Sequence, residues 1–196
     1  MKPVVGVLAL QGGYAAHARC LEEIGREWTL VRTPEELAQC AGLILPGGES
    51  TTHLKLIHRF GMWAPLDAFV RSGRPILATC AGLILAASRV VGRQQDAFGW
   101  LDIDVNRNAW GRQVHSFETT LNDAEAHQSL QDPPAKLLFI RAPRIERVGG
   151  DVEVLVRYEG EPVGVRQKRF IGLSFHPELK GDARFHVMAF GEGSNG

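Results

Sequence analysis

A chain of 196 residues with 44% hydrophobic content can bury the core of one ordinary domain, and a single domain over residues 1–196 is expected. Its 22 Lys and Arg balance 22 Asp and Glu, which leaves no basic excess for a nucleic-acid footprint and little self-repulsion against a partner. The cysteines Cys20, Cys40 and Cys80 are odd in number and lack C-x-x-C spacing; this disfavours a disulfide framework and fits a reduced, cytoplasmic setting.

The opening Met1-Lys2-Pro3-Val4-Val5-Gly6 runs straight into a strand with no secretory signal, and no apolar run approaches the length of a membrane span. Residues 4–10 read as a fully apolar strand, Gln11-Gly12-Gly13 as a turn, and 14–24 as a helix closed by Gly25. A second strand covers 27–31. Thr33-Pro34-Glu35-Glu36 has the form of a capping box with proline at the first helical position. A third strand, 41–45, stops at Pro46-Gly47-Gly48-Glu49-Ser50, where Ser50 or Thr51 can cap a helix over 51–59. Another helix follows at 62–72, then a strand at 75–79. Apolar strands alternating with helices predict an α/β fold whose mostly parallel central sheet carries helices on both faces. From about Phe98 the pattern changes to short strand-like segments near 102–105, 114–121, 137–140, 152–156, 163–166 and 170–174. Several alternate in polarity, which predicts an added, partly antiparallel region with a hairpin turn at Tyr158-Glu159-Gly160-Glu161-Pro162. A last helix is expected over 181–190.

The run Pro75-Ile76-Leu77-Ala78-Thr79-Cys80-Ala81-Gly82-Leu83-Ile84 is the most specific local signal. A buried strand turns sharply into a helix with one reactive side chain at the corner, a device of acyl-transfer chemistry. The helix amino terminus beneath Cys80 is expected to favour a thiolate. A thiol nucleophile needs a base, and among the histidines only His176 sits just past an apolar strand, in Phe175-His176-Pro177-Glu178. Glu178 can place a carboxylate on that ring, so Cys80, His176 and Glu178 have the makings of a triad at the carboxyl edge of one sheet. His176 with Glu178 could also be a metal pair, but a third ligand with suitable spacing is not evident. Cys20 and Cys40 read as small buried hydrophobes, and His17, His53, His58, His127 and His186 as structural or surface residues. In Leu45-Pro46-Gly47-Gly48-Glu49-Ser50-Thr51-Thr52, paired glycines let the backbone approach a ligand and point amides at an oxyanion or carboxylate.

Together the Pro-Gly-Gly turn, the cysteine elbow and His-Pro-Glu resemble the class I, triad-type glutamine amidotransferases. Leu8-Ala9-Leu10-Gln11-Gly12, Thr79-Cys80-Ala81-Gly82-Leu83-Ile84, Arg107-Asn108-Ala109-Trp110-Gly111-Arg112-Gln113, Phe139-Ile140-Arg141-Ala142-Pro143 and His176-Pro177-Glu178-Leu179 narrow the resemblance to the glutaminase subunits of pyridoxal 5'-phosphate synthase. That resemblance implies Cys80 as nucleophile with His176 and Glu178. It implies an oxyanion hole at Gly47, Gly48 and Ala81, and glutamine held by Gly48, Glu49, Ser50, Arg107, Ile140 and Arg141. Gln11 matches a glutamine on the partner-facing side, beside the ammonia path. The implied partner is a (β/α)8-barrel synthase subunit that uses the ammonia to make pyridoxal 5'-phosphate; no cofactor or metal ion is implied in this chain. Two residues depart from the family pattern: Ala78, where glycine is usual, and Trp110, where phenylalanine is more usual. The rivals are a DJ-1-like cysteine hydrolase or chaperone, an amidotransferase of histidine or anthranilate synthesis, and a catalytically silent subunit that keeps the fold. The intact Cys80, His176 and Glu178 and the stretches 107–113 and 139–143 weigh against them.

Overall fold

The computed structural model describes residues 3–92, 95–107, 116–120 and 134–191. Trp110 and His127, singled out above, lie outside the described residues. In chain order the first strands are β1 (Val5–Leu8), β2 (Trp28–Val31), β3 (Gly42–Leu45), β4 (Ile76–Thr79), β5 (Ala87–Val91) and β6 (Leu101–Asn106). After them come β7 (Ser116–Thr120), β8 (Lys136–Ile140), β9 (Arg144–Val148), β10 (Glu153–Tyr158), β11 (Glu161–Gln167) and β12 (Phe170–Leu173). The helices are α1 (Tyr14–Glu23), α2 (Pro34–Ala38), α3 (Ser50–Arg59), α4 (Trp63–Arg71), α5 (Ala81–Ala86) and α6 (Arg184–Phe190), with a 3-10 turn over Pro177–Lys180.

The central sheet has seven strands in the order β10-β11-β12-β4-β3-β1-β2. From β2 to β12 every pairing is parallel, and β11 and β10 extend the sheet antiparallel. All residues of β1, β3, β4 and β12 are buried, as expected for strands covered on both faces. Their side chains alternate between two cores. Leu8, Leu43, Leu45, Ile76 and Ala78 pack with Leu54, Ile57, Leu66, Phe69 and Leu83 from α3, α4 and α5. Val5, Val7, Ile44, Leu77 and Ile171 pack with Leu21, Phe185 and Phe190 from α1 and α6. Each fully buried Leu or Ile stabilises the fold by about 1.5–3 kcal/mol relative to exposure. Thr33 and Glu36 form the expected capping box, with Pro34 opening α2. Among the described residues no helix is long and apolar enough to cross a membrane.

The expected partly antiparallel region is present: β10 and β11 extend the central sheet, β9 pairs antiparallel with β6, which has β5 parallel on its other side, and β7 and β8 form an antiparallel pair. Helix α5 after the elbow is six residues long, because Ala87 turns the chain into β5. Two helix expectations need correction. Helix α3 starts at Ser50, and its cap is neither Ser50 nor Thr51: the Glu49 carboxylate accepts from the Thr52 amide. The final helix starts at Arg184, with the separate 3-10 turn before it. The hairpin is as expected, with Glu159 and Gly160 both at positive φ between β10 and β11.

Candidate active site

Strands β4 and β12 lie side by side and parallel, with Thr79 opposite Leu173. The chain therefore releases Cys80 and, slightly later, His176 at the same rim of the sheet. The Cys80 amide donates to Leu173 O at 2.8 Å, and the His176 amide donates to Leu138 O at 2.9 Å, which pins both corners. Cys80 sits at φ +47°, ψ −100°, a strained conformation for a non-glycine residue. Pro177 opens the 3-10 turn and folds Glu178 back onto the ring of its neighbour. The His176 Nδ1 and Glu178 Oε1 stand 2.7 Å apart. The same ring shares the cleft with the Cys80 side chain and interacts with it electrostatically, and the Cys80 Sγ lies 3.8 Å from Ile140 O. Sulfur, imidazole and carboxylate, distant in sequence, thus come together in one cleft.

Burial opposes a charge on His176, but the interactions with Cys80 and Glu178 outweigh it and push the ring up to about 10. Glu178 is buried too, which would raise it, yet the His176 ring and its own backbone amide hold its carboxyl below the usual range. At neutral pH the His176 ring therefore carries its second proton beside the Cys80 side chain. Cys20 and Cys40 are buried, and burial pushes each thiol up to about 11, as expected for inert cysteines. Ala78 is fully buried with Leu45 and Gly172 as its strand partners, so its methyl fits within the sheet.

A cleft of about 450 Å³ opens over the sulfur. It is lined by Gly47, Gly48, Glu49, Ser50, Cys80, Arg107, Ile140, Arg141, His176 and Glu178. Of the residues singled out from sequence, Ala81 and Gln11 are not in the lining. Ala81 begins α5, so its amide has no partner within the helix. Gln11 lies behind Gly48, its Oε1 accepting from the Glu49 amide at 3.1 Å. Gly48 has φ +147°, and a Cβ there would meet that oxygen at 2.5 Å, so only glycine fits. Burial would raise the Glu49 carboxyl, but hydrogen bonds from Thr51 and Thr52 hold it down to about 2. Its other oxygen accepts from Arg107 Nη2 at 2.7 Å. Arg107 and Ser50 both donate to Gln95 Oε1. The Arg107 cation is thus occupied inside the site, whereas Arg141, at φ +44°, stands exposed at the cleft.

Sequence reasoning missed Gln95, which ties Ser50 to Arg107. It also assigned no site role to His17 and His186, which are fully buried behind Glu178 together with Thr79. A buried histidine pair at long sequence separation leaves no local pattern to read. The ring on Cys80 also disfavours a thiol activated by an acid alone, as in the DJ-1-like reading.

The geometry agrees with what is known of similar chains. Residues 7–191 match the model of the SNO glutamine amidotransferase family. The chain is 47% identical to a pyridoxal 5'-phosphate synthase subunit PdxT of Shouchella clausii, over 93% of this chain and 91% of that one. It is 49% identical to a protein of the same name from Frankia casuarinae, over 95% and 92% of the two chains. A solved glutamine amidotransferase superposes with a TM-score of 0.85 at 42% identity, covering 94% of this chain and 96% of that one. With identity spread along nearly the whole length, the chain belongs to the SNO glutamine amidotransferase family.

Proposed function

We propose that this chain is the glutaminase subunit of a pyridoxal 5'-phosphate synthase, releasing ammonia from L-glutamine for a separate synthase subunit. The observation that carries the reading is the line Cys80–His176–Glu178 at the ends of adjacent strands, opening into a cleft that offers both charge signs. The Cys80 thiolate attacks the side-chain amide carbon of glutamine, and a C–S bond forms. His176, carrying the proton taken from the thiol, gives it to the departing nitrogen; the C–N bond breaks and ammonia leaves. A γ-glutamyl thioester remains. His176, now neutral, takes a proton from water, the resulting hydroxide attacks the thioester, and glutamate leaves as the thiol is restored. Glu178 holds the ring in one tautomer and stabilises its charged form.

Amides of Ala81 and the Gly47–Gly48 turn would receive the oxyanion; losing one such donor raises the barrier by about 2.7–4 kcal/mol. The Glu49 carboxylate suits the substrate's ammonium, and exposed Arg141 its α-carboxylate. Ser50 and the Ile140 carbonyl complete the polar wall. Arg107 acts through Glu49, holding that carboxylate rather than meeting the substrate. Ammonia protonates in bulk water and ceases to be a nucleophile, so it must reach the second site enclosed. That similar chains are named as subunits of a synthase supports a separate polypeptide as the ammonia acceptor. The partner is a (β/α)8-barrel synthase meeting the rim near Gln11, and the complex works in the cytoplasm.

The test is glutamate release from L-glutamine by the native chain and by Cys80→Ala, each with and without the synthase subunit. Turnover should rise strongly when the synthase is added, and the variant should be silent in both conditions. Native-like turnover in the variant, or equal native rates with and without the synthase, overturns the corresponding part of the reading.

A further inference from the structure

Behind the reacting groups lies a second, fully buried polar chain. His17 comes from α1, His186 from α6 and Thr79 from the last position of β4, and none of the three is exposed to solvent. His17 Nδ1 lies 3.0 Å from His186 Nε2, and His17 Nε2 lies 3.2 Å from Thr79 Oγ1. The same Nε2 stands 3.5 Å from Glu178 Oε1, the oxygen that meets His176.

The proton positions follow from this geometry. His186 Nδ1 is buried and finds no hydrogen-bond partner among the described residues. An orphaned N–H is costlier there than an orphaned lone pair, so the His186 proton belongs on Nε2. Nε2–H then donates to His17 Nδ1, which must be the unprotonated nitrogen. The His17 proton is left on Nε2, aimed at Thr79 and at the Glu178 carboxylate. Burial lowers both rings, His186 to about 3, so each carries a single proton and this direction is kept.

We propose that His17 is a positioning residue: its Nε2–H, set by His186 and seated beside Thr79, fixes the Glu178 carboxylate and through it the His176 ring. This rests on the reading of Cys80, His176 and Glu178 given above. Glu178 needs such a hold. Its Oε2 has no partner among the described residues, and its remaining support is its own backbone amide and His176 itself. A carboxylate free to rotate would let the ring swing away from the sulfur. The ionisable groups facing this cluster are His176 and Glu178, from the 3-10 turn and the residue before it, and Cys20 from α1, which feels the Glu178 charge.

Two variants separate positioning from packing. His17→Leu fills the space without an N–H, whereas His17→Gln keeps an N–H where Nε2 stands. With the synthase present, His17→Leu should lower kcat about tenfold with KM for glutamine little changed, and His17→Gln should recover most of the loss. A second readout does not depend on turnover. The rate of iodoacetamide alkylation of Cys80, followed against pH, should move to higher pH in His17→Leu and return in His17→Gln. If the native complex releases no glutamate but the alkylation profile still moves and returns, the glutaminase reading fails while the role of His17 stands. Native-like kcat and alkylation in His17→Leu overturn the proposal. So does an equal loss in both variants that tracks a fall in melting temperature, which would make His17 a packing residue only.

Discussion

Gly47 lies so close to the proposed catalytic ring that a Cβ there would stand 2.2 Å from His176 Cε1. Adding that carbon forces either the turn or the imidazole to move, and the imidazole is the group whose distance to sulfur matters. Gly47→Ala should therefore lower kcat/KM for glutamate release about 10²-fold, the scale of an ångström of misplacement. Overpacking should cost about 1–3 kcal/mol, read from the urea midpoint. Native turnover in that variant would mean the ring has room that the geometry denies it. At this scale, Cys80, His176 and Glu178 were legible in the sequence because each stands in a short local pattern whose chemistry is self-explanatory. His17 was not, since its partners lie 62 and 169 positions away. Glu49 was half legible. Its place after two glycines marked it as a site residue, but helix caps favour Ser, Thr, Asp and Asn, so the neighbouring hydroxyls drew the assignment. In the fold Thr51 and Thr52 donate to Glu49 instead, and Arg107 holds its other oxygen.

Helix α5 is the element on which the nucleophile depends, and its seat on β3 leaves no room for a side chain. A Cβ on Gly82 would stand 2.3 Å from Leu45 O and 2.9 Å from Leu45 Cβ. Alanine favours a helix over glycine by about 1 kcal/mol. Here the sign reverses, because the obstacle is backbone that cannot turn aside. Gly82→Ala should lower the urea midpoint and, by lifting α5 from β3, weaken the alkylation of Cys80 at neutral pH; an unchanged or raised midpoint would show that the seat is looser than drawn. The same element explains where the sequence misled. The apolar run that continues from α5 into Ala87 gives no stop signal, and β5 is absent from the strands expected from the sequence. Strand β9, Arg144-Ile145-Glu146-Arg147-Val148, ends the small β5-β6-β9 sheet and is largely exposed, with only Ile145 buried; so polar a segment lacks a strand's usual signature. The parallel strands were legible because burial on both faces makes them continuous apolar runs.

Taken whole, the molecule buries several histidines in opposite electrostatic situations, and its stability should record both as a dome in pH. His17, His53 and His186 are buried with lowered affinity for protons, His53 to about 4 and His186 to about 3, burial being the leading cause in each. Below the unfolded value near 6.5 the unfolded chain takes up protons that the folded chain refuses. Each such ring then removes up to about 1.4 kcal/mol per pH unit as acid is added. Glu178 acts in the same direction at lower pH: its depressed folded value gives stability above about 4.5 that is lost on further acidification. His176 acts oppositely. Raised to about 10 by its partners against its burial, it gives stability that is complete below about 6.5 and is lost as pH climbs through the folded value. The maximum should therefore lie near neutrality, with an acid limb that starts close to pH 6.5 rather than in the carboxylate range. Urea midpoints measured from pH 4.5 to 9.5 on the native chain and on His176→Asn would show both limbs. The variant should keep the acid limb and flatten the alkaline one. A native midpoint that stays level down to pH 5 would mean these rings are solvated or paired after all, and the buried polar chain behind Glu178 would lose its physical basis.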